Sequence, residues 1–283
     1  MSCNRKTILL IPVLAFTGLI LCSCDDGTSG KPAASDVEIL FNGKDLTGWK
    51  GDPRNWKVED GVIVGTTDAD KPLPYNQFLI YQGKPVEDFE LTADMKLTSN
   101  GNNSGIQYRS KERPDLGEYV MSGYQCDMHP SIDYNGMLYE EKGRGIICKR
   151  GQKVVITPAG KPKVVGRLGQ DPEFKLDQWN TYTILAEGNH LIHKINGVKT
   201  VDLFDQDEGK RAMKGAIAFQ IHRGPGMKVE IRNVRLKRLP KSVVTPPEAT
   251  PVPANAPDVN PPKKKKKAGP KPKAAGKASA KQG

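Results

Sequence analysis

Three short stretches of the chain place planar polar side chains two residues apart, a spacing that turns them to one side of an extended strand. In residues 103–109, Gln107 and Arg109 share a side opposite Ile106 and Tyr108. In residues 123–129, Gln125, Asp127 and His129 share a side opposite Tyr124, Cys126 and Met128. In residues 218–222, Gln220 and His222 face away from Phe219 and Ile221. A solvated sheet face ordinarily carries Lys, Glu, Thr and Ser, as residues 90–96 do, and that is the plain reading of any one of these strands. Gln, Arg, Asp and His are instead groups suited to hydrogen-bonding a polyhydroxylated ligand or to exchanging protons near neutrality. If the three strands are neighbours, they form one concave polar patch.

A fourth stretch, residues 134–151, carries Tyr139, Glu140, Glu141, Arg144 and Arg150 between glycines at 136, 143 and 145. It reads either as a charged surface hairpin or as a loop that delivers a carboxylate and an Arg to the patch. No His-Glu-x-x-His or comparable spacing marks a resident metal, and no cofactor is expected. Asp127, His129 and His222 would bind a divalent cation only if they converged.

The elements that must position these residues are strands. Residues 89–97 alternate apolar and polar without a break, and residues 181–186 and 191–196 keep the same two-residue period with Leu185 and Ile192 as apolar exceptions. Asn196-Gly197 joins the latter to residues 198–201, a two-residue hairpin signal. Residues 215–222 and 227–236 make a further pair across Arg223-Gly224-Pro225-Gly226. No stretch holds a helical period beyond two turns. Many short strands separated by turn residues predict an all-β fold, an antiparallel β-sandwich of jelly-roll type.

Charge narrows the function. Of 283 residues, 43 are Lys or Arg and 32 Asp or Glu, a formal +11. The surplus sits at the ends: residues 241–283 hold ten Lys against Glu248 and Asp258, and Arg5 and Lys6 add two more. Residues 25–240 are nearly neutral, which argues against nucleic acid as a partner, since that needs a basic face on the folded part. These residues suffice for one sizeable core, and the absence of a second long apolar run excludes a polytopic membrane protein.

Both termini read as targeting segments. Arg5 and Lys6 precede an apolar run from Ile8 to Leu21 broken by Pro12 and Gly18, the pattern of an export signal. Leu21-Cys22-Ser23-Cys24 then resembles the lipobox of bacterial lipoproteins, with lipidation at Cys24; ordinary cleavage near Ser23 is the alternative. Residues 1–24 are thus expected to be a lipoprotein signal, 25–36 a tether, 37–239 the folded domain and 240–283 a disordered Pro/Ala/Lys-rich tail. The expected location is the cell envelope, lipid-anchored to the membrane. The lysines at 263–267 read as a solvated run or as an adhesive for anionic lipid or cell-wall polymer. With Cys24 acylated, Cys126 and Cys148 remain, free to pair or to stay as two buried thiols, the reading favoured by the apolar strand face of Cys126.

Phe41-Asn42-Gly43-Lys44-Asp45-Leu46-Thr47-Gly48-Trp49 and Trp56-Lys57-Val58-Glu59-Asp60-Gly61 resemble the opening of the bacterial 3-keto-disaccharide hydrolase family. The likeness continues through Asn103-Ser104-Gly105-Ile106 with Arg109, Gly123-Tyr124-Gln125, Gln178-Trp179-Asn180-Thr181-Tyr182, Asn196-Gly197, Gln220-Ile221-His222 and Ile231-Arg232-Asn233-Val234. It implies a concanavalin A-like jelly roll and cleavage of glycosides already oxidised at the sugar 3-position. Many members carry Glu after the Gly-Tyr pair and Gln two residues on; here Gln125 and Asp127 stand there, so the carboxylate has moved two places along the same face.

A ketone at C3 acidifies the C2 proton, and loss of that proton expels the C1 substituent. The chemistry needs a base, a donor for the enolate oxygen and an acid for the leaving group. The sequence offers His222 or Asp127 as base, Arg109 as enolate donor and Glu140 as acid. Gln107, Gln125, Gln220, Tyr139 and Arg144 would bind the oligosaccharide or 3-keto-glycoside substrate. Asp127 with Glu140 or Glu141 would also make a two-carboxylate glycosidase. The reading from another class is a non-catalytic carbohydrate-binding module, for which the amides, Arg and Tyr suffice. Convergence of His222, Asp127 and Glu140 at one cleft separates the two.

Overall fold

The structure, a computed structural model, describes residues 36–99 and 101–261. Cys24, the expected export signal before it and the lysines at 263–267 lie outside the described residues. Seventeen strands run through the described part: β1 (Val37–Ile39), β2 (Trp49–Lys50), β3 (Trp56–Glu59), β4 (Val62–Thr67), β5 (Gln77–Tyr81), β6 (Phe89–Ser99), β7 (Ser104–Glu112), β8 (Met121–Met128) and β9 (Leu138–Glu141). They continue as β10 (Gly145–Cys148), β11 (Gln152–Ile156), β12 (Pro162–Arg167), β13 (Asn180–Glu187), β14 (His190–Ile195), β15 (Val198–Asp205), β16 (Ala216–Ile221) and β17 (Met227–Arg238). The only helical turn among them is a 3-10 turn at Pro247–Ala249.

Two sheets face each other. The larger runs β12-β11-β15-β14-β13-β6-β17-β4-β3, with β1 also paired to β17; the smaller runs β10-β9-β8-β7-β16-β5-β2. All pairings are antiparallel except β11 with β15. The alternation of residues 89–97 has its cause here: Phe89, Leu91, Ala93, Met95 and Leu97 are wholly buried, and they meet Ile106, Tyr108, Tyr124, Cys126, Phe219 and Ile221 from the smaller sheet in one core. This is the β-sandwich of jelly-roll type that the strand pattern predicts. Cys126 and Cys148 are both buried and free.

The strands with planar polar residues are neighbours. β7 lies between β8 and β16 in the smaller sheet, and β8 pairs on its far side with β9. Their apolar residues face the core, so their polar residues face outward from the smaller sheet.

The expectation of disorder from Pro240 onward fails over residues 240–261, which lie along the sandwich as a strap. Ser242 N donates to Asp88 Oδ2 at 2.5 Å, Thr245 N to Asn189 Oδ1 at 2.9 Å, and Gln206 Nε2 to Thr250 Oγ1 at 2.8 Å. Further on, Val164 N donates to Pro257 O and Val259 N to Pro162 O, while Val259 is 2% exposed. The segment lacks apolar periodicity because it is held by polar groups of the body, and its prolines leave less backbone freedom to lose on ordering.

Candidate functional site

A cleft of about 540 Å³ opens on the outer face of the smaller sheet, within the size range of ligand pockets. Its floor is Gln125 and Asp127 of β8 and Gln220 of β16; its walls are Tyr139 and Glu141 of β9, with His129, His222 and Arg223 from the strand ends. The hairpin β9–β10 thus delivers a carboxylate to the patch, but not the Arg that the second reading of residues 134–151 paired with it: Arg144 is held by Glu140 and Asp205, and Arg150 by Asp171.

The floor is a chain of amides ending on an acid. Ser110 Oγ donates to Gln107 Oε1 at 2.5 Å, Gln107 Nε2 to Gln125 Oε1 at 2.9 Å, and Gln125 Nε2 to Asp127 Oδ1 at 2.5 Å. Each amide is oriented by its neighbour, so the Gln125 N–H is aimed at Asp127. Gly105 makes room: a Cβ there would lie 2.8 Å from Gln125 Cγ. Asp127 is nevertheless buried, and desolvation raises its pKa to about 7, opposed by the Gln125 hydrogen bond and assisted by the charge of Glu141. A carboxyl group there exchanges protons at neutral pH.

The two histidines have complementary tautomers. Ser131 N donates to His129 Nδ1 at 2.9 Å, so the His129 proton sits on Nε2. His222 Nδ1 lies 2.5 Å from Arg223 O and therefore carries the proton, leaving the Nε2 lone pair free to accept one. Burial lowers the pKa of both rings, and in His222 the nearby Arg223 carbonyl and Glu141 partly oppose it. Both are largely neutral at pH 7. Asn102 Nδ2 donates to His222 O at 3.1 Å, and Asn76 accepts from Arg223 N while donating to Glu141 at 3.4 Å. The loop carrying His222 and the acid on β9 are thereby tied together. Burial, followed by Glu141 and Asp127, raises the Tyr139 phenol pKa.

Seven of the residues singled out in the sequence line the cleft: Gln125, Asp127, His129, Tyr139, Glu141, Gln220 and His222. Gln107 stands behind Gln125 and acts through it. Three others lie elsewhere. Arg109 is 1% exposed and spans the end of the sandwich, donating to Asp88 Oδ1 at 2.8 Å, Glu87 O at 2.6 Å and Gly188 O at 2.6 Å. Its φ of 47° marks the cause, since both pairings of β7 shift register there and the alternation that would set it beside Gln107 is interrupted. Glu140 points to the opposite side of β9 from Tyr139 and Glu141. It pairs with Arg144 at 2.5 Å, and Arg144 reaches on to Asp205 at 2.6 Å. Arg144 is accordingly held in a buried network, away from the cleft. No group of three or more His, Cys, Asp or Glu among the described residues is placed to hold a metal ion.

Glu141 is the carboxylate that stands where Glu140 was expected. Strand alternation contained the signal, because a site that includes Tyr139 takes Glu141 and turns Glu140 away. Asn103 falls on the face of Gln107 by the same alternation, while Asn76 and Lys142 join from separate elements with no pattern to announce them.

Residues 36–237 match the family model described as the 3-keto-alpha-glucoside-1,2-lyase-like domain. The chain belongs to that family. Among solved structures it is similar to a candidate glycosyl hydrolase from Parabacteroides distasonis ATCC 8503, at 23% identity and a TM-score of 0.48 over 72% of this chain and 94% of that one. It is also similar to a Bacillus subtilis protein of galectin-like fold, at 11% identity and a TM-score of 0.49 over 72% and 96%. A third is the carbohydrate-binding module CBM66 from Bacillus subtilis, at 12% identity and a TM-score of 0.45 over 66% and 94%. No curated protein matches the chain. By that description the family is one of glycoside-acting domains, and a glycoside is the class of ligand that it implies.

Proposed function

We propose that the protein cleaves 3-keto-glycosides by ketone-assisted β-elimination. The observation that carries this reading is the meeting of Asp127, Glu141 and His222 in one cleft, with Asp127 poised near pH 7. His222 Nε2 takes the C2 proton of the oxidised ring, and the C2–H electron pair passes into the enolate of the C3 ketone. The His129 Nε2–H and Arg223 are the donors available to the enolate oxygen. Collapse of the enolate forms the C1–C2 double bond and breaks the bond from C1 to the glycosidic oxygen, and protonated Asp127 gives its proton to that oxygen. Water then adds at C1, giving its proton to the Asp127 carboxylate, while His222 returns a proton to C2, so that both groups are restored and the sum is hydrolysis; release before this second stage makes the enzyme a lyase. Glu141 steadies the imidazolium that forms in between.

A purified full chain should release the aglycone of a chromogenic 3-keto-glucoside and leave the unoxidised glucoside intact. Product formed in D₂O should carry deuterium at C2. His222→Ala should lower kcat at least about a hundredfold with little change in Tm. Cleavage of the unoxidised glycoside, or a C2 position still fully protonated, sinks the elimination route. Binding of the sugar without release of the aglycone would make the protein a carbohydrate-binding module.

We also propose that the protein is held at the cell envelope by a lipid on Cys24, on the strength of the Leu21-Cys22-Ser23-Cys24 sequence after an apolar run.

A further inference from the structure

The catalytic cleft does not end at its own rim. Tyr134 lines it and also lines a second hollow of about 870 Å³. Tyr134 is 41% exposed and stands edge-on to His129, with ring centroids 5.1 Å apart; Ile132 beside it is 44% exposed. The second hollow is walled on one side by the turn around Lys149 and Arg150 and on the other by Pro257, Val259 and Pro261 of the strap. Its charged residues are of both signs, with Lys149, Arg150 and Arg167 against Asp133, Asp171 and Asp258. Arg150 is held by Asp171 and by the Asn135 and Pro172 carbonyls, so Lys149, Arg167 and Asp133 are the groups that offer donors and acceptors to hydroxyls, without selecting for a net charge.

The strap wall is built in. Asp258 pairs with Lys163 at 2.7 Å, Val259 is buried against the core, and Asn260 Nδ2 donates to Ile146 O at 2.6 Å. Ile146 itself lines the catalytic cleft, so one hydrogen bond joins the strap to the catalytic hairpin. The family match stops at residue 237, so this wall is supplied by chain outside the family domain.

We infer that the two hollows form one continuous groove, with Tyr134 as the platform between them, and that the second hollow holds the leaving-group side of an oligosaccharide of three or more units. The inference rests on the cleft being the sugar site. The oxidised ring must reach the buried acid at the cleft floor, which leaves the units attached through C1 to pass over Tyr134 towards the strap. An exposed aromatic ring with an apolar neighbour gives a sugar a flat face to lie on, and the mixed charges beyond it take up the hydroxyls.

The test uses the full chain and unoxidised malto-, cello- and laminari-oligosaccharides of two to six units, titrated by calorimetry. One linkage series should gain affinity by roughly tenfold between two and four units. Gly169→Trp fills the second hollow at a position where an added Cβ meets nothing within 4 Å. It should remove that gain while leaving Tm unchanged, and Tyr134→Ala should do the same. Affinity that stays flat with length in every series, or a gain that survives both substitutions, overturns the inference. A parallel measurement compares kcat/KM for a 3-keto-disaccharide and a 3-keto-tetrasaccharide. Turnover of the shorter substrate with no advantage for the longer one refutes the groove alone; length-dependent binding without any turnover refutes the elimination chemistry and leaves the groove standing.

Discussion

Asp127→Asn should make the protein more stable in alkaline buffer and equally stable in acid. Burial holds the Asp127 carboxyl near pKa 7 in the folded chain, against an ordinary 3.8 when unfolded. Between those two values the folded state binds the proton more tightly, so stability falls as pH rises from 3.8 and levels off above 7. At 1.36 kcal/mol per pKa unit the whole penalty is about 4 kcal/mol. Asparagine has the shape of the neutral acid, and its carbonyl can still accept the Gln125 hydrogen bond. It escapes the penalty without opening a cavity. For a folded domain of this size the full difference corresponds to a rise in Tm of roughly 8–16 °C at pH 8.5, shrinking to nothing near pH 4. Urea denaturation of the two proteins at half-unit pH steps measures the difference, and subtracting one curve from the other cancels every other titrating group. A difference that does not vary with pH, or an Asn variant less stable at pH 8.5, would falsify the assignment of a nearly neutral Asp127. In kinetics the same group should produce the falling alkaline limb of kcat near pH 7, and protonation of His222 the acid limb below about 6.5.

Arg109→Ala should act on stability and not on chemistry: it strands Asp88 in the interior, at a cost of about 3–5 kcal/mol, and kcat/KM of the protein that remains folded should match the wild type. Glu141→Gln and Glu140→Gln should separate in the same way, the first lowering kcat at least about tenfold and the second lowering stability by about 1–3 kcal/mol through its bond to Arg144. Truncation after Leu239 leaves the buried Asn189 and Asp88 without their strap partners, and a fall in Tm of at least about 5 °C by scanning fluorimetry is expected; an unchanged Tm would mean that the strap does not hold. Cys24→Ala should move the protein from the membrane to the soluble fraction, and a variant that still sediments with membranes would place its anchor elsewhere.

Much of the architecture was legible because strand alternation is a local property. Residues 89–97 needed only the two-residue period to place Phe89, Leu91, Ala93, Met95 and Leu97 in the core, and Asn196-Gly197 announced its hairpin through turn chemistry. The same period put Gln125 with Asp127, and His222 with Gln220, on faces that do meet in the cleft. Reading failed where the chain departs from that period or where long-range partners decide. Arg109 lies at a register shift with positive φ, so its side chain leaves the face of Gln107 for Asp88, a residue 21 positions away. Glu140 was preferred over Glu141 although alternation favours the latter, and only the packing of β9 against Asp205 and Arg144 shows which side is the cleft. The strap carries no pattern at all, because its order comes from Asn189, Gln206 and Asp88, each far away in sequence. What the residues determined by themselves is the set of strands and the chemistry on each face. Which faces meet, which charges are neutralised and which acid is desolvated to a pKa near 7 were decided by the tertiary structure, because burial and charge pairing depend on what lies across the sheet and not on what lies along the chain.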